Sequence, residues 1–320
     1  MSATVAHTSE QFAPANGQKL CYDTFGDKSA PTLMLIMGLG AQMILWDDAF
    51  CAKIAARGFH VVRFDNRDIG RSSRVDAPVK IDFAELIQKQ MKGEKIDAPY
   101  LLRDMAADAV GLLDHLGIRQ AHVVGASMGG MISQEIAINF PDRLLTLTSI
   151  MSSTGNPGLP PPTPEATAVL LTPPPATLED YVVAFQKTWR VLRVGSFPED
   201  DGRDIEVARL AFSRGLNPMG VARQMLAIFA SGDRRPRLAN VRTPTLVIHG
   251  DVDPLVRVEG GMDTAKSIPG AKLHIVKRMG DGSMAVFSNP VTALRSVIRA
   301  LDALKEVEID GYHPKMRAGI

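Results

Sequence analysis

Cysteine is nearly absent from this 320-residue chain: Cys21 and Cys51 alone, without ligand-type spacing, support neither a disulfide framework nor a zinc site. Excess charge of one sign is missing too. With 36 Lys+Arg against 35 Asp+Glu the formal net charge is +1, which offers no electrostatic footprint for nucleic acid or an acidic membrane surface. No run of about 18 apolar residues could span a bilayer, and Met1 to His7 lacks the basic and apolar regions of a signal peptide. The expectation is a cytoplasmic protein whose partner is a small molecule, not a nucleic acid or a membrane, with no cofactor and no metal. Oligomeric state is left open.

What the chain does have is a soluble-enzyme composition, 45% apolar residues, and an alternation of short apolar runs with longer helical patterns. Lys19 to Phe25, Thr32 to Ile36, Phe59 to Phe64, His122 to Gly125, Leu144 to Ile150, Thr245 to His249 and Lys272 to Val276 read as strands. Helices are expected over Met105 to Leu116, Gly130 to Phe140 and from about Ser288, the last with Leu294, Val297, Ile298, Leu301 and Leu304 inward. Strand followed by helix, repeated, predicts a mostly parallel sheet covered on both faces.

The alternation breaks between Met151 and about Asn240. Pro157, Pro160 to Pro162, Pro164 and Pro173 to Pro175 open the stretch, and helical patterns follow near Leu178 to Leu192, Asp204 to Ser213 and Gly220 to Ala230. This reads as an inserted helical cap, residues 151–240, on a core of residues 1–150 and 241–320. Trp46 from the core and Trp189, Phe212 and Met219 from the cap, with Phe185, Met225 and Phe229, are candidates to line a pocket. Self-packing within the cap is the competing reading. An irregular region, Ala77 to Tyr100, is expected to add to the rim.

The pentapeptide Gly125-Ala126-Ser127-Met128-Gly129 follows a strand and precedes a helix, the context of a nucleophile elbow. A serine hydroxyl is a poor nucleophile unless it stands clear of the backbone, where a base and an oxyanion hole both reach it. Met37-Gly38-Leu39-Gly40 follows another strand, and the backbone N–H groups of Leu39 and Met128 are the expected oxyanion donors. His249-Gly250-Asp251-Val252-Asp253-Pro254 ends a third. Asp253 is the better candidate there to orient a histidine, with Asp251 as a turn residue.

With Trp46 and the run Phe64-Asp65-Asn66-Arg67-Asp68-Ile69-Gly70-Arg71-Ser72-Ser73, these segments resemble an α/β-hydrolase-fold serine esterase of the aclacinomycin-methylesterase-like group, from about residue 18 to 305. The resemblance implies an α/β-hydrolase fold: a mostly parallel eight-stranded sheet flanked by helices, with an inserted cap. It also implies a carboxylic ester hydrolase in which Ser127 attacks, a histidine relays the proton and Asp253 holds that histidine. Arg67, Asp68 and Arg71 are expected to brace their loop. The histidine is missing. Where Met-Gly would introduce it, the sequence reads Met279-Gly280-Asp281. An aspartate, with an ordinary pKa of about 3.9 and a shorter reach, is a feeble base for a hydroxyl. The expectation is therefore an esterase for small or medium apolar esters, impaired by Asp281. The alternatives are a weak or non-hydrolytic ligand-binding protein on the same fold, or a cofactor-free lyase. His122, His249 and His274 sit in strands and are expected to be structural; His60 and His115 are expected to be partly exposed.

Overall fold

The computed structural model describes residues 5–194 and 201–277. Eight strands form one sheet: β1 (Gln11–Ala15), β2 (Gln18–Phe25), β3 (Thr32–Ile36), β4 (His60–Phe64), β5 (Ala121–Ala126), β6 (Leu144–Ile150), β7 (Thr245–Gly250) and β8 (Lys272–Val276), in the order β1-β2-β4-β3-β5-β6-β7-β8. β1 and β2 pair antiparallel, as do β2 and β4, while the remaining pairs are parallel. Helix α1 (Asp48–Ala55) joins β3 to β4, α2 (Phe83–Lys92) and α3 (Leu102–His115) join β4 to β5, and α4 (Met128–Asn139) joins β5 to β6. Between β6 and β7 lie α5 (Pro164–Leu171), α6 (Leu178–Arg193), α7 (Asp201–Arg214), α8 (Pro218–Ser231) and the short α9 (Arg235–Leu238); α10 (Val258–Ser267) joins β7 to β8.

The apolar runs of the central strands follow from burial on both faces. In β3, Leu33 and Leu35 enter a cluster with Phe50 and Ile54 of α1. Met34 and Ile36 point the other way, into a cluster with Leu112 of α3 and Ile132 of α4. Burying a side chain of this size stabilises by about 1.5–3 kcal/mol. The polar residue Arg63 enters β4 with a partner, forking onto Asp23 of β2 at 2.8 Å.

Three elements depart from the sequence expectation. β1 contains Pro14, which argues against a central strand, but β1 is the sheet edge, where a missing N–H costs little. α2 replaces the irregular region around Ala77 to Tyr100: its short apolar stripe, Phe83, Leu86, Ile87 and Met91, stands on one isolated ten-residue helix, of which Leu86 alone is buried. Its ends were nevertheless marked, with Asp82 accepting from Glu85 N at 3.0 Å and Gly93 at φ +66° beyond the last turn. α5 lies inside the proline-rich opening, Thr163 capping it and Pro164 standing at its first position, where proline is tolerated. His60, expected to be partly exposed, is buried with Nδ1 3.3 Å from the Thr32 hydroxyl. The helix expected from Ser288, and Asp281, lie outside the described residues.

Candidate active site

β5 ends at Ala126 and α4 begins at Met128, so Ser127 alone makes the bend, at φ +55° and ψ −120°. A non-glycine residue there is strained and persists only when its surroundings over-determine it. They do. The Ser127 N–H donates to Ile150 O at 2.9 Å, and its carbonyl accepts from Gly130 N at 2.9 Å and the Ser152 hydroxyl at 2.8 Å. The flanking glycines are steric necessities: a Cβ on Gly125 would lie 2.1 Å from Gly129 O, and one on Gly129 would lie 2.1 Å from Ile36 O.

β3 and β5 are parallel neighbours, which brings Met37-Gly38-Leu39-Gly40 out at the same sheet end as Ser127. A Cβ on Gly38 would sit 3.1 Å from Ser127 Cβ and 3.6 Å from its Oγ, so bare backbone faces the hydroxyl. Leu39 lines the cleft above it. Met128 is the first residue of α4, where N–H groups have no helical carbonyl to bond and the helix end favours negative charge.

Asp253, in the turn after β7, is 1% exposed. Its Oδ1 accepts from Leu255 N and Val256 N, both at 2.9 Å. Its Oδ2 accepts no hydrogen bond among the described residues. His249 Nε2 is 3.4 Å from that oxygen but makes its closer contact, 2.7 Å, to Val256 O. A buried carboxylate with one oxygen satisfied and the other open can accept from an incoming N–H. Asp251 instead joins the turn to β8, its N–H donating to Val276 O at 3.1 Å.

Ser127, Met37 to Gln42 and Leu255 to Arg257 share one cleft of about 1010 Å³, roofed by the helices between β6 and β7. Trp189 lines it, with Phe185, Met225 and Phe229. Trp46, Phe212 and Met219 lie off its wall: Trp46 is buried and stacked on Phe50, Phe212 packs on Tyr181 at 5.7 Å, and Met219 is exposed. The expected rim is present in α2, through Phe83, Ile87 and Met91. Among the described residues no histidine lines the cleft and no three His, Cys, Asp or Glu residues converge as a metal site needs. His122 bonds the Thr146 hydroxyl at 2.8 Å, and burial depresses its pKa to about 4.

Residues 65–73 brace the site. Arg67 forks onto Asp108 of α3 at 2.5 and 2.6 Å, and Arg71 pairs with Glu10 at 2.5 Å. Asp68 receives Arg223 of α8 at 2.7 and 2.9 Å and the Tyr100 hydroxyl at 2.7 Å. Asp65, pushed up to about 6 by burial, bonds Met43 N at 2.8 Å and Arg71 N at 3.0 Å and pairs with Arg214 of α7. The sequence gives no sign of the α7 and α8 partners, because they lie about 150 residues away along the chain.

An alpha/beta hydrolase fold family matches residues 31–282 of the chain. Rhodomycin D methylesterase DauP from Streptomyces sp. (strain C5) is 30% identical over 288 residues, 84% of this chain and 90% of that protein. The 3-oxoadipate enol-lactonase 2 of Acinetobacter baylyi is 28% identical over 258 residues, 81% of this chain and 85% of that protein. The crystal structure of a hydrolase from Pseudomonas aeruginosa PA01 superposes with a TM-score of 0.66 at 26% identity, covering 93% of this chain and 99% of that one. No helix among the described residues is long and apolar enough to cross a membrane.

Proposed function

Because the chain belongs to the alpha/beta hydrolase fold family, we propose that it is a serine carboxylic ester hydrolase whose turnover is held down by Asp281. The observation that carries this reading is the strained Ser127 backbone, which costs stability and turns the hydroxyl toward bare main chain. Ser127 Oγ attacks the ester carbonyl, the Leu39 and Met128 N–H groups receive the oxyanion, and the alkoxide departs to leave an acyl-enzyme that water cleaves. Asp253 offers its open Oδ2 to the group that takes the Ser127 proton. The resemblance to serine esterases implies an imidazole for that group; here the position holds Asp281. The helices between β6 and β7 act as a cap, and the mainly apolar cleft suits a small or medium apolar ester.

A second reading, a ligand-binding protein that turns over weakly or not at all, is favoured by the lack of any histidine on the described cleft wall. Loss of a triad member leaves roughly 10³ to 10⁴-fold catalysis over water. Asp281→His separates the two. The variant is expected to be labelled at Ser127 by an alkyl fluorophosphonate and to hydrolyse p-nitrophenyl butyrate, at least about 10²-fold faster than the parent. A variant that folds yet neither labels nor hydrolyses would sink the esterase reading.

A further inference from the structure

Gln224 of α8 is completely buried, and both ends of its amide are bonded to the core. Its Oε1 accepts from Gly40 N at 2.9 Å and its Nε2 donates to Arg67 O at 2.9 Å. Arg67 is itself fixed by its fork onto Asp108 of α3. The bracket therefore runs from a rigid core helix, through an inserted helix, to the loop beside Ser127.

The loop end of the bracket matters most. Ala41 N donates to Gly38 O at 3.3 Å, which closes a turn with Leu39 and Gly40 at its centre. The peptide group carrying the Leu39 N–H is thus held through Gly38 O. The next peptide group, between Leu39 and Gly40, is held through the Gly40 N–H by Gln224. Gly40 sits at φ +67°, a conformation glycine enters and leaves freely, and turns of this length interconvert by flipping the central peptide. Without the acceptor, the Gly40 N–H is left unpaired in a partly buried place and a flip becomes the cheapest way to satisfy it. The flip would swing the Leu39 carbonyl and change the Leu39 ψ and Gly40 φ that set the turn on which the Leu39 N–H stands. Val221 closes the same contact sterically, its Cγ2 3.1 Å from where a Gly40 Cβ would be.

We infer that Gln224 is a positioning residue: from α8 it fixes the Leu39–Gly40 peptide, and with it the Gly38–Ala41 turn whose first peptide group carries the Leu39 N–H toward the oxyanion that forms on the Ser127 adduct. The inference rests on the serine esterase reading, but its geometric half can be tested without turnover. In the Asp281→His background, Gln224→Leu is expected to lower kcat by about 10²-fold, the size of losing one oxyanion donor, with KM moving less than about threefold. Binding of a trifluoromethyl ketone, which forms the anionic adduct, falls in step with kcat/KM; binding of the corresponding methyl ketone does not. Gln224→Glu supplies one acceptor and one donor only when protonated, so its kcat relative to its own background rises as pH falls.

A crystal structure of Gln224→Leu in the unaltered chain supplies the activity-independent arm. A reoriented Leu39–Gly40 peptide supports the inference even if Asp281→His proves inactive and the esterase reading is lost. An unmoved peptide, a kcat within about threefold of the background, or equal losses for both ketones overturns it.

Discussion

Helices α7 and α8 are fastened to the core through buried side chains, whereas α6 is fastened mainly to α7. On the first side, Gln42 donates to Ala211 O at 2.8 Å and Gly215 O at 3.2 Å, Asn217 donates to Asp68 O at 2.9 Å, and Arg223 and Gln224 engage Asp68, Gly40 and Arg67. On the second, Arg193 forks onto Asp204 at 2.6 Å twice and Gln186 reaches Asp201 at 3.0 Å, both within the insertion, while Trp189 touches the core by packing. The insertion is thus two structures in one. Its α8 half is bonded to the loops beside Ser127, and its α5–α6 half lines the cleft by packing.

Removing Arg223 would put the greatest strain on that contrast. Asp68 has no exposure, and Arg223→Ala leaves its carboxylate buried with the Tyr100 hydroxyl and Val75 N as remaining donors. Breaking a buried pair on one side costs about 3–5 kcal/mol. Urea unfolding should show this loss, and Asp68→Asn in the same chain should recover part of it. A loss below about 1 kcal/mol, the range of an exposed pair, would mean that α8 is no better anchored than α6.

Acid addresses the core beneath both halves. His122 in β5 is held neutral by burial, with its pKa lowered to about 4 from 6.5. The unfolded chain binds the proton more readily, so the contribution is complete above pH 6.5 and is lost as pH falls toward 4. The full loss is about 3 kcal/mol, taking about 1.4 kcal/mol per pKa unit. Comparing urea midpoints at pH 7 and pH 4.5 for the parent and for His122→Asn isolates it, because the asparagine has no proton to gain. Equal acid sensitivity in the two proteins would assign the loss elsewhere, for instance to the carboxylates that clamp α7 and α8.

How much of this was legible follows the range of the interactions. The elbow, the two parallel strands that flank it and the three longer inserted helices are written locally, in Gly125 to Gly129 and in apolar periodicity, and the structure has them. Trp46 illustrates the limit: its size and its place after the Gly38 loop suited a pocket wall, yet it packs on Phe50 beneath the surface. Gln224 illustrates it from the other side. A lone glutamine in a helix carries no local mark, and its partners Gly40 and Arg67 are 184 and 157 residues away. Helix α2 fell between these cases: caps and a short apolar stripe are written in the sequence, but most of the stripe faces the cleft and only Leu86 is buried.

The smallest expected effect separates the two halves by how their helices begin. α6 is capped within itself: Thr177 Oγ1 accepts from Asp180 N at 3.2 Å and lies 2.8 Å from its carboxylate. α8 has no such cap, and Asn217 at its start instead donates to Asp68 O across the core boundary. Thr177→Ala should therefore cost about 1 kcal/mol of helix stability, the usual value of a lost cap. Because α6 leans on α7 rather than on the sheet, that loss should surface as faster amide exchange in the first turns of α6, with the global unfolding midpoint nearly unchanged. A drop of the midpoint as large as the loss in local protection would show that α6 unfolds with the core, and the division of the insertion into an anchored and a loose half would fail.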